Sequence, residues 1–303
     1  MAPRRKTSGD TDVTARTNLR SPFFECFGRD RLTPMKPSDR EIYLFDLNGY
    51  IVVRGALTAR EVADLNACID AIPKLDEDGW HGHVHAQQYG EKNGVNLQQI
   101  YEAGEPFEKL IDHPSWFEKV KYFVGGEGTF DALHGPVFID ENLASLRGPG
   151  EGIYPHSGGH HGVIRCQYRV HNGKFHCGQV NVLLALTDIE SEDGPTVVVP
   201  GSHKSNFPHP DVDVEDRHSR RMSVDTVEVT MKAGDALLFV DAICHGASPR
   251  AKEGERRIVV YRYGPSWGNF RHGYQPSAEL LERLTPQRRQ IVQPQVPVPR
   301  DSS

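Results

Sequence analysis

Two histidines occupy settings suited to binding a metal. His245 follows Gly234-Asp235-Ala236-Leu237-Leu238-Phe239, which reads as a turn and a buried strand, and it sits in Cys244-His245-Gly246-Ala247-Ser248 at the strand's far end. That puts its imidazole at the mouth of a barrel. His156 lies in the glycine-rich stretch Tyr154-Pro155-His156-Ser157-Gly158-Gly159-His160-His161-Gly162, just before another strand-like run. A helical site built from His156, His160 and His161 is disfavoured, because Gly158 and Gly159 break the helix that i, i+4 ligation needs. Eleven residues past His245, Arg256 opens Arg256-Arg257-Ile258-Val259-Val260-Tyr261. There an inward guanidinium can grip a carboxylate ligand with two parallel hydrogen bonds.

The elements that position these groups change character along the chain. Ser38 with Glu41, and Thr58 with Glu61, have capping-box spacing ahead of apolar-periodic runs, and Gly49 separates the first run from the strand-like Tyr50–Val53. A third helical stretch covers roughly 114–124. From about Thr129 onward short β-rich runs take over, bounded by Gly, Pro, Asn and Asp: 130–139, 163–170, 179–186, 196–199, 226–230, 236–240 and 258–263. Asn172-Gly173 marks a hairpin turn. The expected fold is mainly β with flanking α: a double-stranded β-helix, or jelly roll of cupin-like type, with the N-terminal helices packed on one sheet.

Length and composition bound the rest. The 303 residues suit one domain, expected over 37–284, with disordered polar ends at 1–36 and in the Pro-rich 285–303. The balance of 35 Lys+Arg against 41 Asp+Glu gives a formal charge of −6, which does not favour a nucleic-acid polymer or an anionic membrane as partner. Five cysteines, Cys26, Cys68, Cys166, Cys177 and Cys244, form no C-x-x-C pair, so neither a disulfide framework nor a thiolate zinc site is expected. Without a secretory apolar run or a membrane-length stretch, a cytoplasmic location is expected.

Over roughly 40–268 the chain resembles the phytanoyl-CoA dioxygenase family of non-haem iron oxygenases. The resemblance rests on Asn48-Gly49-Tyr50-Ile51-Val52-Val53, on Gly194-Pro195-Thr196-Val197-Val198-Val199-Pro200-Gly201-Ser202-His203-Lys204, on Gly234–Phe239, on His245-Gly246 and on Arg256, in that order. It implies that His156 and His245 are the two iron-binding histidines and that Arg256 anchors the distal carboxylate of 2-oxoglutarate, with Fe(II) and O2 as the other reactants. The family usually carries Asp or Glu two residues after the first histidine, completing a two-histidine, one-carboxylate triad. This chain has Gly158 there.

Losing that acid removes one coordinating group and one negative charge together, and a chloride ion replaces both. Iron- and 2-oxoglutarate-dependent halogenases are similar in this respect, delivering halogen to a substrate carbon in place of hydroxyl. A hydroxylase rescued by a remote carboxylate, drawn from Asp188, Glu190, Asp235 or Asp241, is the competing expectation, and a non-catalytic barrel that binds a ligand is another.

Period-2 alternation turns Asn181 into the barrel, toward 2-oxoglutarate or the halide. Ser248 is assigned beside Arg256, although the family's hydroxyl usually falls one position earlier, at Ala247. Gln99 is a further cosubstrate contact taken from the resemblance. Lys204, Arg165 and Arg169 are candidates for an anionic substrate group, with Arg217, Arg220 and Arg221 clustered nearby in sequence. Trp80, Tyr89, Tyr101, Trp267, Phe270 and Tyr274 lie in loop-like stretches where a flat ring can stack. The chain looks like the adenine-nucleotide halogenases of nucleoside-antibiotic pathways, which implies a freestanding small molecule, the sugar of a deoxyadenosine monophosphate, as substrate. No carrier-protein docking feature is visible.

Overall fold

The computed structural model describes residues 35–87, 94–125, 135–157, 164–207, 209–210, 225–266 and 274–293. Ser38 and Thr58 start the two leading helices, α1 (Asp39–Asn48) and α2 (Ala59–Ala71), each with a complete reciprocal capping box. Each hydroxyl accepts the N–H of the glutamate three residues on, and that glutamate accepts the cap residue's own N–H. Gly49 ends α1 at φ 85°, where a Cβ would also lie 2.5 Å from the His203 ring. The chain then enters β1 (Tyr50–Val53).

The remaining elements follow in chain order. They are β2 (Trp80–His81), β3 (Val84–Gln87), β4 (Gly94–Gln98), α3 (Glu105–Glu108), α4 (Phe117–Val124), β5 (Phe138–Arg147), β6 (Ile153–His156) and the hairpin β7 (Val170–His171) with β8 (Lys174–Phe175). Next come β9 (Val180–Ala185), β10 (Thr196–Val198), β11 (Val227–Val229), β12 (Ala236–Val240), β13 (His245–Ala247), β14 (Arg256–Gly264), α5 (Ala278–Arg283) and α6 (Pro286–Val292). A large sheet runs β1-β12-β9-β14-β5-β4-β3-β2 and a small one β11-β10-β13-β6, with antiparallel pairing throughout.

Alternation along β14 assigns the two faces of the large sheet. Arg257, Tyr261 and Tyr263 point outward to the helices: Arg257 pairs with Asp70 on α2 at 2.7 Å, and Tyr261 Oη donates to the Phe107 carbonyl on α3 at 2.7 Å. Trp116 Nε1 donates to Tyr263 Oη at 3.3 Å. The helical flank thus covers the outer face. Arg256, Ile258, Val260 and Arg262 point inward, toward the small sheet. Contacts across that interior include Phe239 of β12 against His245 of β13, with ring centroids 4.8 Å apart.

Three expectations change. Within the strand expected over 163–170, 164–166 instead form a 3-10 turn, with Arg165 and Cys166 bonded to Asp241, and only Val170 is extended, in β7; Val163 lies outside the described residues. The strand expected over 130–139 is shifted: β5 begins only at Phe138 and runs to Arg147, paired with β14 along its length and with β4 over Leu143–Arg147, while 130–134 lie outside the described residues. The folded unit also continues past 284. Thr285 caps α6, whose Ile291 and Val292 are buried at 0% and 4% exposure, and Arg288 Nε meets Asp112 at 2.6 Å. A polar composition hid two apolar residues placed at the end of a well-capped helix. The N-terminal expectation over 1–34 lies outside the described residues. Cys68, Cys166, Cys177 and Cys244 are free thiols, and no helix among the described residues is long and apolar enough to cross a membrane.

Candidate metal centre

The antiparallel pairing of β13 with β6 sets His245 opposite His156, with ring centroids 4.2 Å apart. The His156 Nδ1 lies 3.1 Å from the Tyr154 carbonyl and the His245 Nδ1 lies 2.8 Å from the Ile243 carbonyl. A carbonyl can only accept, so in each ring Nδ1 donates and Nε2 presents its lone pair. Burial, reinforced by the neighbouring His156, pushes His245 well below the usual histidine range and keeps it neutral near pH 7. Gly246 permits this approach of the strands, since a Cβ there would meet the Ile153 carbonyl at 2.3 Å. Ser157 leaves β6 in the left-handed region at φ 62°.

A buried polar network lies behind the pair on the inner face of the large sheet. Asp241, 2% exposed, accepts from Asn181 Nδ2 at 3.0 Å, Arg165 Nε at 3.2 Å and the Cys166 thiol at 3.5 Å. Burial, with Asp241 beside it, pushes that thiol up to about 11. Arg262 donates to Asn181 Oδ1 at 3.2 Å and pairs with Glu141 at 2.7 Å. Gln98 then donates to both Glu141 and Gln87, at 3.2 and 3.0 Å. These charges are paired and hydrogen-bonded, as groups taken out of water must be. Asn181 therefore points inward as alternation required, but both halves of its amide are bound to protein groups.

At the other end of the interior two guanidiniums stand side by side. The register of β14 with β5 sets Arg256 opposite Arg147, at 3% and 2% exposure. Arg256 reaches across to the Gly194 carbonyl, and Arg147 to the carbonyls of Ser248 and Glu151. Two buried positive charges on adjacent strands complement a dicarboxylate.

The other sequence candidates are distributed differently. Ser248 falls one step past Ala247, so its hydroxyl turns away from the His245 face and donates to Glu228 at 2.8 Å. Gln99 sits at φ 56° and donates to the His83 carbonyl at 3.3 Å, while its neighbour Gln98 joins the network. Lys204 pairs with Asp46 at 3.5 Å beside α1, and Arg169 is exposed next to the β7–β8 hairpin. Of the three proposed anion contacts, Arg165 alone meets the network. Trp80 is 54% exposed and stacks on His85, whose Nδ1 lies 2.6 Å from Tyr274 Oη; Tyr101 is core. Gly158, His160, His161, Arg217, Arg220, Arg221, Tyr89, Trp267 and Phe270 lie outside the described residues.

Of the four remote carboxylates, Asp241 belongs to the network just described and the other three are committed elsewhere. Asp235 bonds Gly55 N and pairs with Arg54, while Asp188 and Glu190 both hold Lys232. Among the described residues no three His, Cys, Asp or Glu side chains gather closely enough to share a metal ion. Two Nε2 lone pairs side by side, with an arginine pair further along the interior, nonetheless fit a divalent metal held by imidazole together with a dicarboxylate. Sequence reasoning missed Arg147 and Arg262. Arg262 shares the parity of Arg256 within one strand, a signal that was legible; Arg147 was hidden because the length of β5 was not recognised.

Residues 45–258 match the phytanoyl-CoA dioxygenase (PhyH) family. The chain is 37% identical over 237 residues to the dioxygenase FUM3 of Gibberella moniliformis, covering 77% of this chain and 75% of that protein. Its fold is similar to that of HygX from Streptomyces hygroscopicus, crystallised with nickel and 2-oxoglutarate, at TM-score 0.63 and 23% identity over 80% of this chain and 94% of that one. A more distant likeness, TM-score 0.53 at 19% identity over 75% of this chain and 82% of that one, is to SnoN, a non-haem α-ketoglutarate-dependent epimerase of nogalamycin biosynthesis. With the family model matched over residues 45–258 and a 37% identical dioxygenase covered over three quarters of its length, the chain belongs to the phytanoyl-CoA dioxygenase family of non-haem iron oxygenases.

Proposed function

We propose that this protein is an Fe(II)- and 2-oxoglutarate-dependent halogenase that chlorinates an unactivated sp3 C–H bond of a freestanding small molecule. The observation that carries this reading is the ligand count. Two histidines in register, His156 and His245, are followed in sequence from the first by Gly158 two residues on, and Asp188, Glu190 and Asp235 are bound to other partners. An imidazole ligand brings no negative charge, so an external anion such as chloride is favoured as an additional ligand.

When bound, iron and 2-oxoglutarate supply oxidation of a C–H bond by O2, with decarboxylation of the cosubstrate to succinate and CO2. In this reading of the two sheets as a double-stranded β-helix, His156 and His245 hold the metal. Arg256, with Arg147 beside it, holds the distal carboxylate of 2-oxoglutarate. Phe239 covers the His245 ring and limits water there. Asn181, Arg262 and Asp241 form a prebuilt set of dipoles that does not reorganise as substrate enters.

The inner face carrying Gln87, Gln98, Glu141 and Arg262 favours a hydrogen-bonding substrate over a long alkyl chain. A deoxyadenosine monophosphate fits this expectation, with its phosphate toward the partly exposed Arg165 and its sugar toward the histidines. Asp241 supports the competing reading of hydroxylation, because it is a buried carboxylate whose charge acts on His245. Against this, its oxygens already hold Asn181, Arg165 and Cys166.

The test is anaerobic reconstitution with Fe(II), 2-oxoglutarate, chloride and a panel of nucleosides and nucleotides, followed by oxygen and mass analysis. A chlorine isotope pair that appears only with chloride is expected. Addition of oxygen indifferent to chloride would establish hydroxylation instead.

A further inference from the structure

Gln98, the last residue of β4, and Gln99 just after it hold two buried acceptors without a donor among the described residues. Gln98 is 0% exposed and Gln99 5%. Gln98 Nε2 donates to Gln87 Oε1 and Glu141 Oε1, and Gln99 Nε2 donates to the His83 carbonyl. Those partners accept, so each amide is held by its nitrogen and its carbonyl oxygen faces elsewhere. Both Oε1 atoms are fully buried and unpaired. Leaving a buried acceptor without a donor is costly, and two on adjacent residues mark a place that a donor should fill.

Consecutive residues of an extended strand point to opposite faces, yet these two glutamines line one cavity. Gln99 takes the left-handed φ of 56°, uncommon for a residue with a side chain, and the bend swings its amide round to the side of Gln98. The cavity, about 20 Å³ and lined also by Glu141 and Tyr274, has room for one group the size of a water molecule. Tyr274 is only partly buried, so the cavity reaches toward the surface on that side. From Glu141 the inward row of Arg262, Asn181 and Phe239, opposed in turn across β14, β9 and β12, leads to the His245 ring.

We propose that the Gln98 and Gln99 carbonyls form a subsite for an amino group of the substrate, which donates its N–H bonds to the two oxygens. The inference rests on the reading of the histidine pair as the reaction centre, and it adds the class of group that the far end of the substrate carries. Two acceptors sharing so small a space favour N–H2 over a hydroxyl, which has one proton to give, and over a carbonyl, which has none. A site built around unpaired acceptors also rejects a ligand that brings another acceptor. Gln98 and Gln99 are then specificity-determining residues.

The test is calorimetric titration of the anaerobic protein, loaded with Fe(II) and 2-oxoglutarate, with deoxyadenosine monophosphate and with deoxyinosine monophosphate. The two differ in bearing an amine or a carbonyl at the same ring position. The parent is expected to prefer the amine by more than about tenfold, and Gln98→Leu to bring the two affinities within about threefold of each other. The ratio is read within one variant, so a general loss of folding cancels. Gln87→Leu removes a partner of Gln98 that does not line the cavity, and it is expected to keep the parental preference. Equal affinities in the parent, or no binding of either nucleotide, overturn the inference. So does a parental ratio in Gln98→Leu, or a preference that Gln87→Leu also loses, because the network and not the cavity would then set it. Product analysis separates the two claims: oxygenated product with the amine preference intact removes halogenation and leaves the subsite, whereas chlorinated product without the preference removes the subsite alone.

Discussion

His156 and His245 each bond through Nδ1 to the carbonyl two residues earlier, Tyr154 and Ile243 respectively, so one backbone device orients both imidazoles across a single strand pair. The shared orientation directs both Nε2 lone pairs to the interior without needing a carboxylate behind either ring.

His156→Ala or His245→Ala is expected to lower Fe(II) affinity by more than about a hundredfold, the upper end of the range for disturbing the shell behind a metal ligand. Gly246→Ala should act in the same direction while leaving both rings present, because the added methyl drives β6 away from β13. Titration with Co(II), followed through its ligand-field absorption, reads this directly. Unchanged affinity in Gly246→Ala would show that the register does not set the ligand geometry.

Gly158→Asp is expected to abolish chlorination by placing a carboxylate where chloride would bind. Mass analysis of the products checks it. Chlorination at the parental rate would place residue 158 away from the metal.

Asn181→Leu keeps the volume of the side chain and removes both amide contacts, leaving Asp241 and Arg262 each short of a partner. A loss of about 1–3 kcal/mol in unfolding free energy is expected, the cost of leaving a buried polar group unsatisfied. Urea midpoints measure it, and a neutral result would mean that water or substrate-side groups replace the amide.

Ile291→Ala should destabilise the fold by about 2–4 kcal/mol through the cavity it leaves against β5. Truncation after Leu284 should cost more, since it also removes the Arg288–Asp112 pair. Equal urea midpoints for the truncated and full chains would show that α6 does not belong to the folded unit.

His203 makes stability depend on pH. Burial pushes its imidazole down to about 4, although its bond to the Asp46 carbonyl favours the charged form. Folded protein thus binds a proton less readily than unfolded chain, whose histidine titrates near 6.5. The stabilisation is complete above about pH 6.5 and is lost as pH falls toward 4, by on the order of 3 kcal/mol. Melting temperatures of the parent and His203→Gln at pH 7.5, 5.5 and 4.5 test this, and the variant should show the shallower decline.

The sequence alone determined the local structure. Capping boxes at Ser38 and Thr58, the turn at Asn172-Gly173 and the apolar runs of β9, β12 and β14 depend on neighbours a few residues apart, so each was readable where it stands. The family signature named His156, His245 and Arg256 for the same reason, each lying in a short recognisable stretch. Tertiary structure decided what strand pairing controls. It set Arg147 beside Arg256, brought Thr196 opposite Ala247, turned Ser248 toward Glu228 and drew Asp241 into a network with Asn181, Arg165 and Cys166. Those partners come from strands and turns 20 to 109 positions apart in the chain. A one-residue change of register would send those of these side chains that stand on strands to the opposite face. No local pattern carries that register; the packing of two sheets around a shared interior selects it.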